Sequence, residues 1–161
     1  HRVMVRSGRD RARWQAKKPQ PDPISSTAAR FGSTVGLGRA MPRAVVTSTQ
    51  RMRADRKLAT SGIAGFFEIV VTGSDVTEPK PAPEGYLKAA AALGVDPARC
   101  VVFEDSAFGV RAALAAGMTP IQVPDLIEPD DATRALGHRI VANLAEAYAL
   151  VTPQLADLSK A

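Results

Sequence analysis

The chain has 161 residues, 45% of them apolar, and a mean hydropathy of −0.06, which are values typical of one globular domain. No stretch approaches the roughly 20 apolar residues that a membrane-spanning helix needs, and the pattern gives no reason to expect a secretory leader. The single cysteine, Cys100, cannot form an internal disulfide. We therefore expect no membrane partner and a cytoplasmic, reducing location.

The net charge of +5 is unevenly distributed along the chain. Residues 1–40 contain nine lysines and arginines and two aspartates, a net charge of +7, which leaves −2 for residues 41–161. A uniformly basic domain would favour nucleic-acid binding, but a basic segment ahead of a mildly acidic domain does not. Trp14 and Phe31 are too isolated to form a stacking platform for a single strand.

Composition divides the chain into three parts. Residues 1–40 lack hydrophobic periodicity and carry three closely spaced prolines, so we expect a disordered or non-native basic segment. The glycine-rich stretch at 32–38 lacks the Lys-Ser/Thr ending of a phosphate loop and reads as a flexible connection. Residues 41–151 form the predicted core domain, and residues 152–161 form a tail.

From Ala44 onward, apolar strand-like runs alternate with helical patterns. Such alternation predicts an α/β fold with a parallel sheet covered on both faces. Ligands of these sheets bind beyond the carboxyl ends of the strands. The predicted elements are strands at 44–46, 66–71, 100–103, 119–123 and 139–141, and helices at 51–60, 84–93, 107–116 and 144–150.

Hydroxyl groups follow the first predicted strand. Thr47 and Ser48 stand between that strand and the next helix, where their hydroxyls and the helix amides could bind phosphate oxygens. An ordinary helix cap is the alternative interpretation. Thr49, Gln50 and Arg51 could extend the same phosphate or substrate site.

A lysine and two carboxylates occupy the corresponding positions further along the chain. Lys80 lies in a proline-framed loop, where it could hold a phosphate or could be a solvated surface residue. Glu104 and Asp105 directly follow the strand ending at Phe103 and suit Mg²⁺, which prefers oxygen ligands. Asp105 or Ser106 could instead cap the following helix.

The order of these segments resembles one known family. The sequences AVVTSTQR, KPAP and VVFEDS, within the stretch from Pro42 to Leu126, are similar to the haloacid dehalogenase-like (HAD) hydrolase superfamily. The resemblance is to the branch that contains phosphoglycolate phosphatases and β-phosphoglucomutases, and it continues more weakly to about Val151. It implies a Rossmann-like, doubly wound parallel sheet and a phosphohydrolase or phosphoglucomutase acting on a small phosphate monoester or sugar phosphate.

The resemblance also implies a role for each candidate residue. Thr47 would bind the phosphoryl group through its hydroxyl, and residues 48–51 would line the substrate side of that loop. Lys80 would be a catalytic residue that contacts both the phosphoryl group and the nucleophile. Glu104 and Asp105 would hold the Mg²⁺ cofactor.

Two parts of the family pattern have no counterpart in this sequence. The first motif, an apolar strand ending in Asp-x-Asp-Gly, supplies the nucleophile that becomes an aspartyl-phosphate and the general acid/base. Asp10 and Asp22 stand without partner aspartates or preceding strands. The helical cap is also missing. We therefore expect an incomplete sheet that lacks its central strand next to the strand at 44–46, exposed strand edges and a truncated or inactive enzyme.

Two other interpretations remain open at this point. The chain could be a non-catalytic remnant that binds phosphate or a partner and carries a basic N-terminal tail. It could also be a different parallel-sheet protein with an acidic cluster, such as a phosphoacceptor receiver, although the Lys-Pro-Ala-Pro loop at 80–83 fits that class poorly.

Overall fold

The computed structural model describes the backbone of residues 41–158 and the side chains of residues 41–151. Strands and helices alternate over this range, as the sequence predicts. Short 3₁₀ turns at Ala64–Phe66 and Pro97–Arg99 precede two of the strands. The elements are β1 (Ala44–Val46), α1 (Arg51–Thr60), β2 (Ile69–Val71), α2 (Glu84–Leu93), β3 (Val101–Glu104), α3 (Ala107–Ala115), β4 (Thr119–Gln122), α4 (Asp131–Arg134), β5 (Arg139–Ile140) and α5 (Leu144–Leu158).

The strands form two parallel sheets instead of one. β1 pairs with β2, with Val45 opposite Val70. β4 lies between β3 and β5, with Phe103 opposite Ile121 and Ile121 opposite Arg139. No backbone ladder joins β1 to β3 within residues 41–158. The division falls beside β1, where the sequence predicts that a central strand is absent, so the α/β fold is an incomplete Rossmann-like sheet.

Helices α2 and α3 supply the core that bridges the two sheets. Both present alanines inward, which lets the helices lie close to each other and to the strands. Val46 of β1 and Val102 of β3 pack against the same buried cluster. That cluster consists of Tyr86, Ala90, Ala112, Ala113, Ala116 and Met118.

The ends of α2 and α3 follow local sequence signals. Gly94 ends α2 in the left-handed conformation, with φ of 66°, where a side chain would be strained. Ser106 precedes α3 and accepts a hydrogen bond from the Gly109 amide at 3.1 Å. Ser106 is therefore the N-cap of α3. The Asp105 side chain makes no capping bond within the described residues.

The structure differs from the sequence prediction by one residue at several element ends and by more at three places. Phe66 is 57% exposed and belongs to a 3₁₀ turn, so β2 is only the last half of the predicted strand. Helix α4 was not predicted; Asp130 caps it by accepting a hydrogen bond from the Thr133 amide. Helix α5 continues past Leu150 to Leu158. The predicted features of residues 1–40 lie outside the described residues.

No helix within residues 41–158 combines the length and apolar character required to cross a bilayer.

One apolar surface is exposed on β3. Val101 and Phe103 project from the same face of this strand and are 43% and 47% exposed. β3 pairs with β4 on one side alone within the described residues. Apolar side chains on a strand with an unpaired edge favour association between chains.

Replacing both Val101 and Phe103 by threonine should weaken self-association of the chain. Each substitution removes exposed apolar area, and threonine is a β-branched residue that suits a strand. We expect the concentration at which oligomers appear to rise about tenfold, as measured by light scattering during size-exclusion chromatography. The Leu126→Thr/Ile127→Thr variant is the control, because these side chains are 92% and 80% exposed outside the strands. An equal effect of both variants would contradict an association site on β3.

Candidate active site

The loop that carries Lys80 meets the carboxyl ends of β1 and β3. The Lys80 ammonium donates a hydrogen bond to the carbonyl oxygen of Val46, the last residue of β1, over 3.1 Å. It also pairs with the carboxylate of Glu104, the last residue of β3. The two side chains are only 14% and 7% exposed. Three segments that are distant in sequence therefore converge around one largely buried ammonium group.

Glu104 is the most heavily bonded carboxylate of the site. Its Oε1 atom accepts hydrogen bonds from the Lys80 ammonium and from the Tyr86 hydroxyl. Its Oε2 atom accepts a hydrogen bond from the Ser106 hydroxyl over 3.1 Å. The Lys80 ammonium also lies 4.9 Å from the centre of the Tyr86 ring, within the range of a cation–π contact. Each buried polar group of this cluster thus has a partner.

These contacts set the protonation states of the cluster. Burial alone would raise the pKa of Glu104, but the hydrogen bonds from Lys80 and Tyr86 and the lysine charge lower that pKa on balance. Burial raises the pKa of Tyr86, and the negative charge of Glu104 raises it further. At neutral pH the cluster therefore holds an ionised carboxylate and a neutral phenol.

Gly109 leaves the space that the Glu104 carboxylate fills. A Cβ atom built on Gly109 would overlap all three atoms of that carboxyl group. Because Gly109 lies inside α3, where glycine costs about 1 kcal/mol relative to alanine, its presence reflects this close approach. The side chain of Glu104 is held from the helix side by Gly109 and from the loop side by Lys80.

Asp105 differs from Glu104 in its surroundings. Its side chain is exposed and has no hydrogen-bond or ion-pair partner among residues 41–151. The negative charge of Asp105 contributes to raising the pKa of Tyr86, so Asp105 interacts electrostatically with the same cluster. Two neighbouring acidic residues at one strand end are therefore in different situations, one buried and paired and the other open to solvent.

The donor set is compatible with a magnesium ion that is held by few protein ligands. Mg²⁺ commonly takes one or two carboxylates and completes its shell with water and phosphate oxygens. Asp105 offers a free carboxylate, whereas Glu104 already neutralises the Lys80 ammonium. No group of three or more acidic, histidine or cysteine side chains could enclose a metal within the described part of the chain. Asp105 is thus the better-suited ligand of the two.

The loop after β1 is compact and partly exposed. Thr47 Oγ1 accepts a hydrogen bond from the Thr49 amide over 3.1 Å, and the Thr47 hydroxyl hydrogen has no acceptor within residues 41–151. Ser48 and Gln50 are exposed. The Gln50 side chain makes no capping bond to α1. The first turn of α1 therefore begins next to a hydroxyl that is free to donate.

Arg51 is placed differently from its neighbours in this loop. Its guanidinium group lies 2.5 Å from Asp75 and donates a hydrogen bond to the Val70 carbonyl oxygen over 2.7 Å. It also contacts Asp55 of its own helix over 3.3 Å. The structure therefore brings Lys80 and Glu104 together at the end of β1, next to Thr47, while the charged end of Arg51 is engaged by β2 and the turn that follows it.

Sequence reasoning missed Tyr86 and Gly109 as parts of the site. Tyr86, Ala89 and Ala90 have the spacing of one buried helix face, and all three are buried. A tyrosine on such a face needs a hydrogen-bond partner for its hydroxyl. This requirement could have indicated from the sequence that Tyr86 takes part in a polar cluster. Gly109 is a glycine within a helical pattern, which signals close packing. The partner, Glu104, could not be read from either signal.

The comparisons with known proteins identify the family of the chain. A family model described as haloacid dehalogenase-like hydrolase matches residues 38–123. The match covers more than half of the chain, and the chain belongs to this family. In a doubly wound parallel fold, ligands bind at the carboxyl ends of the strands, and the Lys80 cluster lies at such an edge.

Individual relatives refine the placement within the family. The chain is 44% identical over 82 residues to the fructose-1-phosphate phosphatase YqaB of Escherichia coli, covering 51% of this chain and 44% of that protein. It is 37% identical over 115 residues to the protein CbbY of Rhodobacter capsulatus, covering 70% of this chain and 50% of that protein. The chain therefore spans about half the length of the curated relatives it matches.

Solved structures give the same result. A HAD family hydrolase from Deinococcus radiodurans, crystallised with phosphate and sodium, matches with a TM-score of 0.59 and 37% identity. The match covers 69% of this chain and 52% of that one. A putative β-phosphoglucomutase from Thermotoga maritima matches with a TM-score of 0.59 and 28% identity, covering 75% of this chain and 55% of that one. The predicted family and branch are confirmed.

Replacing Lys80 by methionine should destabilise the chain by about 3–5 kcal/mol, because it leaves the buried Glu104 carboxylate without its counter-charge. Urea unfolding followed by circular dichroism measures the change. The control is Lys57→Met, an exposed lysine of α1, which should cost less than about 0.5 kcal/mol. A loss below about 1 kcal/mol for Lys80→Met would place the pair among surface ion pairs and contradict its assignment as a buried link.

Proposed function

We propose that this chain is the phosphate-binding part of a magnesium-dependent phosphohydrolase that acts on a small phosphate monoester or sugar phosphate. The observation that carries the proposal is the position of the Lys80 ammonium, which is fixed between the Val46 carbonyl and the Glu104 carboxylate at the carboxyl ends of two strands. The family membership and the phosphatases among the relatives support it.

Each residue of the site has a defined part in the proposal. The Thr47 hydroxyl donates a hydrogen bond to a phosphoryl oxygen, next to the N-terminus of α1, whose dipole favours an anion. Lys80 supplies the positive charge, and Glu104 orients Lys80 and balances its charge when no phosphate is bound. Exposed Ser48 and Gln50, with Thr49, line the side from which the substrate enters.

Asp105 is the proposed ligand of the magnesium ion. When bound, the ion would neutralise phosphoryl charge and draw the phosphate towards the strand ends. Glu104 acts here through Lys80, because its Oε1 atom accepts bonds from Lys80 and Tyr86 while its Oε2 atom accepts one from Ser106. This division of labour between the two carboxylates refines the role that the family resemblance implies for them.

In this proposal the chain binds a phosphate but does not by itself complete the reaction. Hydrolysis through an aspartyl-phosphate needs a nucleophilic carboxylate on an apolar strand, and the sequence offers no Asp-x-Asp motif of that kind. We therefore propose that this chain alone is inactive. The cytoplasm is the proposed location, since the free thiol of Cys100 suits a reducing compartment.

Replacing Thr47 by valine should weaken binding of inorganic phosphate about tenfold, because it removes one hydrogen bond to a charged ligand. Isothermal titration of the full chain with phosphate in the presence of Mg²⁺ measures the dissociation constant. Thr60→Val is the matched control, because Thr60 lies at the far end of α1 and its hydroxyl donates to the Arg56 carbonyl. Equal affinity of the Thr47→Val variant and the unmodified chain would remove Thr47 from the site.

Replacing Asp105 by asparagine should abolish the effect of Mg²⁺ on phosphate binding while leaving the metal-free affinity unchanged or stronger, because a negative charge is removed near the anion. The same titrations, with Mg²⁺ and with a chelator, measure this difference. Asp131→Asn, an exposed aspartate of α4, is the control. A Mg²⁺ effect that persists in Asp105→Asn would contradict the proposed ligand. An unmodified chain that binds no phosphate would favour a partner-binding remnant instead.

A further inference from the structure

The contacts of Arg51 connect the loop after β1 to the turn after β2. Its Nη2 atom donates to the Val70 carbonyl oxygen over 2.7 Å and lies 2.5 Å from Asp75 Oδ2. Its Nη1 atom lies 3.3 Å from Asp55 Oδ1. The positive charge of Arg51 is therefore balanced by two carboxylates, and its two Nη atoms donate to β2, the following turn and its own helix, while its buried Nε atom has no partner within the described residues.

Asp75 is itself held firmly in this turn. Its Oδ2 atom accepts hydrogen bonds from the amide and the hydroxyl of Thr72, each over 2.7 Å. Its backbone carbonyl accepts a hydrogen bond from Lys88 of α2 over 2.7 Å. Burial would raise the pKa of Asp75, but the bonds from Thr72 and the charge of Arg51 lower it on balance. Asp75 is thus an ionised and fixed anchor at neutral pH.

The backbone of the two loops is joined at three further points. The Gly73 amide donates to the Thr49 carbonyl over 3.0 Å, and the Thr47 amide donates to the Val71 carbonyl over 2.9 Å. The Arg51 amide donates to the Ser74 hydroxyl over 3.1 Å. The loops approach so closely that a Cβ atom on Gly73 would lie 2.5 Å from the Ser48 carbonyl oxygen. The two loops therefore form one connected unit.

We propose that Arg51 is a positioning residue whose ion pair with Asp75 fixes the shape of the loop at 47–50, and that it does not contact the phosphoryl group. The phosphate role of this loop rests on the proposed function above. The geometry of the guanidinium group explains the residue type, because a planar fork with several donors can reach Asp75, Val70 and Asp55 together. Lys80 remains the cation that faces the phosphate.

A double-mutant cycle separates positioning from direct contact. If Arg51 positions the loop through Asp75, Arg51→Met and Asp75→Asn should each weaken phosphate binding about tenfold. The double variant should then be no weaker than either single variant. If Arg51 bound phosphate directly, Asp75→Asn would release it and keep or strengthen binding, and this result would overturn the proposal. Arg53→Met is the matched control, because Arg53 is an exposed arginine of the same helix.

Amide hydrogen exchange of the full chain, followed by NMR without phosphate, supplies a readout that does not depend on the proposed function. The amides of Gly73 and Thr47 should exchange about tenfold faster in Arg51→Met and in Asp75→Asn. The amide of Val110, which donates to the Ser106 carbonyl at the start of α3, should exchange at the unmodified rate and so shows that each variant is folded.

The two measurements fail in different ways. Unchanged exchange of Gly73 and Thr47 in both variants would overturn the positioning role, whatever the phosphate affinity. Faster exchange, combined with an unmodified chain that binds no phosphate, would overturn the proposed function and the phosphate role of the loop. The link between Arg51 and the loop shape would still stand. Faster exchange together with parallel losses of phosphate affinity would support both.

Discussion

Lys80 and Glu104 form a nearly buried ion pair that connects the two sheets of this chain. The pair spans 24 residues of sequence, and the bond from Lys80 to the Val46 carbonyl spans 34. Because β1 and β3 share no backbone ladder within the described residues, these bonds and the alanine-rich core beneath them hold the strand ends together. A charge in this position costs free energy unless it is paired. The residues that surround the Glu104 carboxylate are therefore restricted in type: Tyr86 and Ser106 donate hydrogen bonds to it, and Gly109 leaves the space that it fills.

The same constraint orders the chemistry of the site. Glu104 is occupied in balancing Lys80, which leaves Asp105 as the free carboxylate at the end of β3. Thr47 is fixed at the end of β1 by the turn that includes Thr49. In this arrangement a phosphate would meet a hydroxyl, an ammonium and a carboxylate from three separate segments, all anchored at strand ends. Rigid elements position such groups more accurately than a mobile loop does.

The sequence predicted the alternating elements and the family because those depend on local patterns. Apolar runs, Gly94 and Ser106 define the element boundaries, and Lys80 and Glu104 lie in recognisable motifs. The sequence did not predict that Arg51 would turn to Asp75 or that Tyr86 would bond Glu104, because those contacts depend on how helices pack on strands. It also treated Glu104 and Asp105 as equals, since adjacent residues differ in burial only once α2 and α3 are in place.

The parallel pairing of all five described strands has a consequence for how the chain folds. Each pairing joins strands that are separated by a helix or a long connection, so no strand can form a hairpin with its neighbour in sequence. Such non-local closures make folding slow relative to helical bundles of similar size. During synthesis, the sheet of β3 and β4 gains its last strand only after Arg139 and Ile140 have emerged from the ribosome. The pairing of β5 with β4 leaves the apolar face of Val101 and Phe103 uncovered, so this face is open to other chains during synthesis and afterwards.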